Sequence, residues 1–178
     1  MKRYWSAALA AMVVVSAAAS ALSQEQPASP LPGGASSLQE TYQDWRLGCQ
    51  SVAPQPACSI SQEQAQQNGQ RVLAIELRKQ GDDALSGNLV LPFGLQLDAG
   101  AILQIDDGQQ DKPLRFSTCV PGGCLVPLSF DADRIAALRN GTALRVKVQS
   151  TDAKEIALTI SLKGFPAAFD RLQVLGKT

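Results

Sequence analysis

Residues 143–163 read ALRVKVQSTDAKEIALTISLK. Leu144, Val146 and Val148 alternate with Arg145 and Lys147. Ile156, Leu158, Ile160 and Leu162 alternate with Thr159, Ser161 and Lys163. A period of two gathers each apolar set on one face of an extended strand, whereas a helix would scatter it. The polar segment Ser150-Thr151-Asp152-Ala153-Lys154 separates the two runs, so the stretch predicts a β-hairpin with one buried and one solvated face.

The same period recurs upstream. Arg71–Arg78 sets Leu73, Ile75 and Leu77 on one side. Shorter candidates are Asp44–Cys49, Asn88–Leu91, Leu95–Leu97, Ala101–Ile105, Leu114–Cys119 and Cys124–Leu128, punctuated by Gly81-Asp82-Asp83, Pro92-Phe93-Gly94, Asp106-Asp107-Gly108 and Pro121-Gly122-Gly123. Two helices interrupt them. Asp131 can cap Ala132–Arg139, which turns Ile135 and Leu138 inward and stops at Asn140-Gly141. Pro166–Val174 opens on proline and spaces Phe169 and Leu172 by three. Many short strands with one or two short helices define an all-β class, an antiparallel sandwich or barrel-like domain.

The N-terminus has a different character. Lys2 and Arg3 precede an uncharged Ala/Val-rich run, and the run ends in small residues that fit cleavage after Ala21 or Ser23. Residues 1–23 therefore read as a secretory signal peptide. Its removal takes two positive charges from a chain of 16 basic and 16 acidic residues and leaves a net charge of −2. Residues 24–41 are rich in Gln, Pro, Ser and Gly and read as a disordered leader. Residues 42–178 are one domain's worth of chain. No transmembrane span is expected after signal cleavage, and a balanced charge gives no footprint for nucleic acid.

The chain contains no histidine. That excludes a Ser-His-Asp triad, a Cys-His dyad and any imidazole base or metal ligand. Four cysteines remain: Cys49, Cys58, Cys119 and Cys124. In an exported chain an even count reads as disulfides, and four allow three connectivities. Nearest-neighbour pairing is favoured because Cys119 ends one strand candidate and Cys124 begins the next. Opposed residues of a hairpin lie ~4.5–5.5 Å apart at Cα, within disulfide reach. Each bridge would close a short loop and contribute roughly 2–3 kcal/mol. A redox pair is disfavoured because the spacing is not C-x-x-C. A Cys₄ zinc site is disfavoured because export favours oxidation.

Other chemistry reads as structure. Asp106, Asp107 and Asp111 lack the ligand alternation of a calcium loop and fit a polar turn. Asp131 and Asp133 fit a helix start better than a paired-carboxylate catalytic site. Arg145, Lys147 and Lys163 fit a solvated sheet face better than an anion stripe. Trp45 is expected in the core near the first cysteine pair, and Phe165, Phe169 and Leu172 as a lid on the sheet. No catalytic, cofactor-binding or metal-binding residue is read from the chain.

An ordered set of segments nevertheless resembles a known family. It runs Asp44-Trp45-Arg46-Leu47-Gly48-Cys49, Cys58-Ser59-Ile60, Leu91-Pro92-Phe93-Gly94-Leu95, Gly100, Ile105-Asp106, Leu114-Arg115-Phe116-Ser117-Thr118-Cys119, Gly123-Cys124, then Ser161-Leu162-Lys163-Gly164-Phe165 and Ala167-Ala168-Phe169. Together these resemble the invasion-associated locus B family of exported proteobacterial proteins, from Tyr42 to Leu172. The resemblance implies a small, β-rich, disulfide-containing domain in the periplasm, at the outer membrane or secreted, with the four cysteines as structural bridges. It carries over no catalytic residue. The expectation is a non-enzymatic interaction protein with an envelope or host protein as partner. The alternative is a periplasmic module binding a small molecule, glycan or lipid, which requires a concave pocket with convergent polar groups.

Overall fold

The computed structural model describes residues 31–52, 54–81 and 83–175. The expected signal peptide lies outside these residues. Ten strands and two α-helices follow: β1 (Ser37–Tyr42), β2 (Trp45–Gln50), β3 (Ala57–Ala65), β4 (Arg71–Gln80), β5 (Ala84–Leu91), β6 (Ile102–Ile105), β7 (Thr118–Val120), β8 (Gly123–Phe130), α1 (Ala132–Asn140), β9 (Ala143–Gln149), β10 (Glu155–Ser161) and α2 (Phe165–Leu175). All strand pairs are antiparallel. One sheet has seven strands in the order β1-β2-β3-β4-β5-β8-β7, and the other has three in the order β10-β9-β6.

Alternation decides which face each strand buries. The large sheet turns Trp45 and Leu47, Ile60, Leu73, Ile75 and Leu77, Leu85 and Leu89, and Val126 and Leu128 into the core. The small sheet supplies Leu103, Leu144, Val146, Val148 and Ile160. These residues and the inner faces of both helices form one continuous apolar cluster. The molecule is thus an antiparallel β-sandwich with two helices. The predicted hairpin of residues 143–163 is β9–β10, with Val146 opposite Leu158.

Helix α1 begins as its sequence predicts: the Asp131 carboxylate accepts the Arg134 N–H at 2.8 Å. Helix α2 packs across β1, β2 and β3. Phe165 stands edge-on to Trp45 at 5.1 Å between ring centroids and stacks on Phe169 at 6.1 Å. Phe165, Phe169 and Leu172 are buried, so this lid is core. Arg139 ties α1 to α2 through Asp170 at 2.5 Å and lies over the Phe169 ring.

Several boundaries depart from the sequence reading. Strand β1 begins at Ser37, inside the stretch read as leader. Leu38, Glu40 and Tyr42 alternate there as partly buried residues, a pattern too polar to stand out from a Gln/Ser-rich background. Strand β3 carries no apolar alternation in its sequence, because Ile60 is the one strongly apolar residue on its inner face and Gln62 and Gln64 occupy the next inward positions. Leu95 makes an isolated bridge to Ser150, and Leu97–Ala99 is a 3₁₀ turn instead of a strand. Leu114 likewise makes a single bridge, to Ala101, before β7 starts at Thr118.

Candidate functional site

The four cysteines lie in two cross-strand pairs at disulfide distance. Cys49 of β2 opposes Cys58 of β3, with sulfurs 2.06 Å and Cα atoms 4.1 Å apart. Cys119 of β7 opposes Cys124 of β8, with sulfurs 1.95 Å and Cα atoms 3.9 Å apart. The Cα distances are shorter than the hairpin range expected from sequence. Each pair spans neighbouring strands, so it pins a strand register as well as a loop. Trp45 is core, but its ring contact is Phe165 of α2.

The other sequence candidates disperse. The Asp106 carboxylate accepts from the Thr142 hydroxyl at 2.6 Å and from the Thr142 and Ala143 backbone N–H groups. Those donors, the Thr142 hydroxyl first, hold its carboxyl below the usual carboxylate range. Asp107 pairs with Arg145 at 2.7 Å, and Asp111 pairs with Arg134. Three acidic residues close in sequence therefore serve three different partners. Arg145 and Lys147 share the outer face of β9, whereas Lys163 lies beyond the end of β10. Among the described residues, no group of three or more Cys, Asp or Glu side chains converges as a metal site.

The sandwich interior is filled, and no buried side-chain polar atom among the described residues lacks a partner. Concavity lies outside. A polar groove of about 540 Å³ crosses the solvent face of the seven-stranded sheet. Strand register builds it in rows. In the first row Thr41 opposes Arg46, Arg46 opposes Ser61, Ser61 opposes Glu76, and Glu76 opposes Asn88. In the second row Glu63 opposes Ala74, Ala74 opposes Val90, and Val90 opposes Leu125. One side of the groove is polar and the other largely aliphatic.

Charge in and around the groove is balanced. Glu63 holds Arg71 at 3.0 Å, and Glu76 holds Arg78 at 2.7 Å. Arg46 has no ion-pair partner among the described residues, and Asp44 lines the same groove. The sequence reading named none of these residues as a site. They are the solvent halves of alternating strands, and alternation looks the same whether the outer half is idle or used. A second crevice, about 660 Å³, lies beside α1 over Leu103, Leu128 and Phe130. Of its charged groups, Asp111 pairs with Arg134 and Asp131 caps α1, while Lys112 and Asp133 also line it.

Fold and site together define a small β-sandwich protein with two cysteine-paired hairpins and a polar groove on a sheet face. The chain belongs to the invasion associated locus B (IalB) family, whose model matches residues 45–173. It is 52% identical over 152 residues to invasion protein B homologs of Brucella abortus, strain 2308 and biovar 1 strain 9-941, covering 84% of this chain and 87% of each relative. It is 33% identical to invasion protein B of Bartonella bacilliformis, covering 83% of this chain and 81% of that protein. The crystal structure of invasion associated protein B from Bartonella henselae superimposes with a TM-score of 0.74 at 32% identity, over 79% of this chain and 97% of that one.

Proposed function

We propose that this chain is an exported, non-enzymatic protein of the bacterial envelope or exterior that acts by binding, with an envelope or host protein as its partner. The observation that carries the reading is the pair of cysteine-bridged hairpins. Both pairs need oxidised sulfur to be useful, and oxidising conditions lie outside the cytosol. The signal-like residues 1–23 and the family's invasion-associated name point the same way. Among the described residues no helix is long and apolar enough to cross a membrane. Relatives are named as invasion proteins and not as enzymes.

The test is fractionation of cells expressing the full chain, with thiol alkylation before lysis. A mature chain starting near Gln24, outside the cytosol and without alkylatable thiols, is the expected result. A cytosolic, fully alkylated chain overturns it. Crosslinking in intact cells then identifies the bound protein.

A second reading, a glycan-binding module on the sandwich, is supported by the groove on the large sheet. A lipid fits less well, because the interior is filled by the chain's own side chains.

A further inference from the structure

We propose that the groove on the outer face of the seven-stranded sheet is a binding site for an uncharged oligosaccharide, lying across the strands along the row Thr41, Arg46, Ser61, Glu76 and Asn88. The inference rests on the glycan-module reading above and names its site and ligand class.

Four observations lead there. First, the row mixes donors and acceptors: two hydroxyls, an amide, a carboxylate and a guanidinium. Sugar hydroxyls both donate and accept, and hydrogen bonds to charged groups are the stronger ones. Second, Arg71 pairs with Glu63, Arg78 beside the groove pairs with Glu76, and Arg46 and Asp44 carry opposite charges, so a ligand with net charge gains little from the groove as a whole. Third, Ala74, Val90 and Leu125 form an aliphatic row beside the polar one, against which the C–H face of a pyranose ring can lie. Fourth, although Thr41 is on the edge strand β1, the rest of the row crosses β2, β3, β4 and β5, whose backbone N–H and C=O groups already pair with neighbours on both sides. An extended peptide finds no free backbone there to add to. Side chains of one row repeat at the strand spacing of about 4.8 Å, close to the length of one pyranose unit.

Arg46, which has no ion-pair partner among the described residues, is the anchor. Its guanidinium has a fixed fork of donors, and Thr41 and Ser61 stand on either side with hydroxyls. Asn88 at the far end of the row sets the second contact.

The experiment is backbone amide NMR on the oxidised mature chain, titrated with neutral tetrasaccharides of glucose, galactose, mannose and N-acetylglucosamine. A sialylated tetrasaccharide, a uronate tetrasaccharide and an unstructured peptide serve as comparators. At least one neutral sugar is expected to shift residues 41, 46, 61, 76 and 88. Arg46→Ala and Asn88→Ala are expected to weaken that binding by about tenfold or more, as loss of a hydrogen bond to a charged or buried polar group does. Both sites are on the solvent face, and an unchanged thermal midpoint shows that the variants fold. No shift with any neutral sugar, shifts elsewhere on the molecule, or binding unaffected by Arg46→Ala overturns the proposal. Binding confined to the acidic sugars or to the peptide overturns it too. If the chain is exported, oxidised and crosslinked to a protein while no sugar binds, this inference fails and the binding-protein reading stands.

Discussion

Gly164 joins β10 to α2 with φ +87°, and a Cβ built there would stand 1.9 Å from the Tyr42 carbonyl oxygen. Both the left-handed backbone and the close approach demand glycine. Gly164→Ala is expected to cost about 2 kcal/mol or more, read as a lower urea midpoint at unchanged slope. Gln62 is a second decisive residue. It is 6% exposed and faces the core. Its side-chain amide donates to the Ser161 carbonyl at 2.9 Å and accepts the Ser161 N–H at 3.2 Å, while the Trp45 indole donates to the same carbonyl. One side chain thereby imitates the strand that β10 lacks on its outer side. Gln62→Leu leaves the Ser161 N–H without that acceptor and is expected to cost about 1–3 kcal/mol. Hydrogen exchange at Ser161 should accelerate in that variant, and unchanged exchange would sink the assignment.

Among elements, β1 depends on α2. Glu40 accepts a two-pronged pair of hydrogen bonds from Arg171, at 2.9 Å each to Nε and Nη2, and a third at 2.6 Å from the Tyr42 hydroxyl. The Arg171 hydrogen bond, opposed by burial and aided by Tyr42, holds the Glu40 carboxyl below its ordinary value. Burial, with the hydrogen bond to Glu40 next, pushes the Tyr42 phenol up. The sign follows from linkage: the folded carboxyl is the stronger acid, so its contribution is complete above the unfolded pKa and is lost as pH falls through the folded one. Acidification is therefore expected to loosen β1 from α2. Arg171→Met should remove this part of the acid dependence, and a pH series of hydrogen exchange in residues 37–42 measures it. An identical acid profile in wild type and variant would disprove the linkage.

For the whole molecule, the two cysteine pairs sit in the hairpins β2–β3 and β7–β8, near opposite ends of the seven-stranded sheet. Sequence separations of 9 and 5 residues close short loops. Each bridge is expected to stabilise the fold by about 2–3 kcal/mol through the unfolded chain. Reduction should lower the thermal midpoint without changing the folded far-ultraviolet spectrum at low temperature. The Cys119→Ser/Cys124→Ser variant should lose less than the Cys49→Ser/Cys58→Ser variant, because its loop is shorter. Equal midpoints with and without reductant would refute a stabilising role.

The β class, the 143–163 hairpin, the Asp131 cap and the lid residues of α2 were legible in residues alone, since apolar period and capping chemistry are local properties of the chain. The family resemblance was legible too, as an ordered set of short segments. Strands β1 and β3 were hidden because several of their inner positions are polar and find partners only on distant elements, α2 and β10: Glu40 at Arg171, Gln62 at Ser161, and Gln64 at the Thr159 carbonyl. The groove was hidden for a related reason. Arg46, Ser61, Glu76 and Asn88 are far apart in sequence, and only the register of four strands brings them into one row. Sequence thus determined what each segment wants to bury. Tertiary pairing decided which polar groups meet, because side chains that satisfy one another across a sheet leave no periodic trace along it.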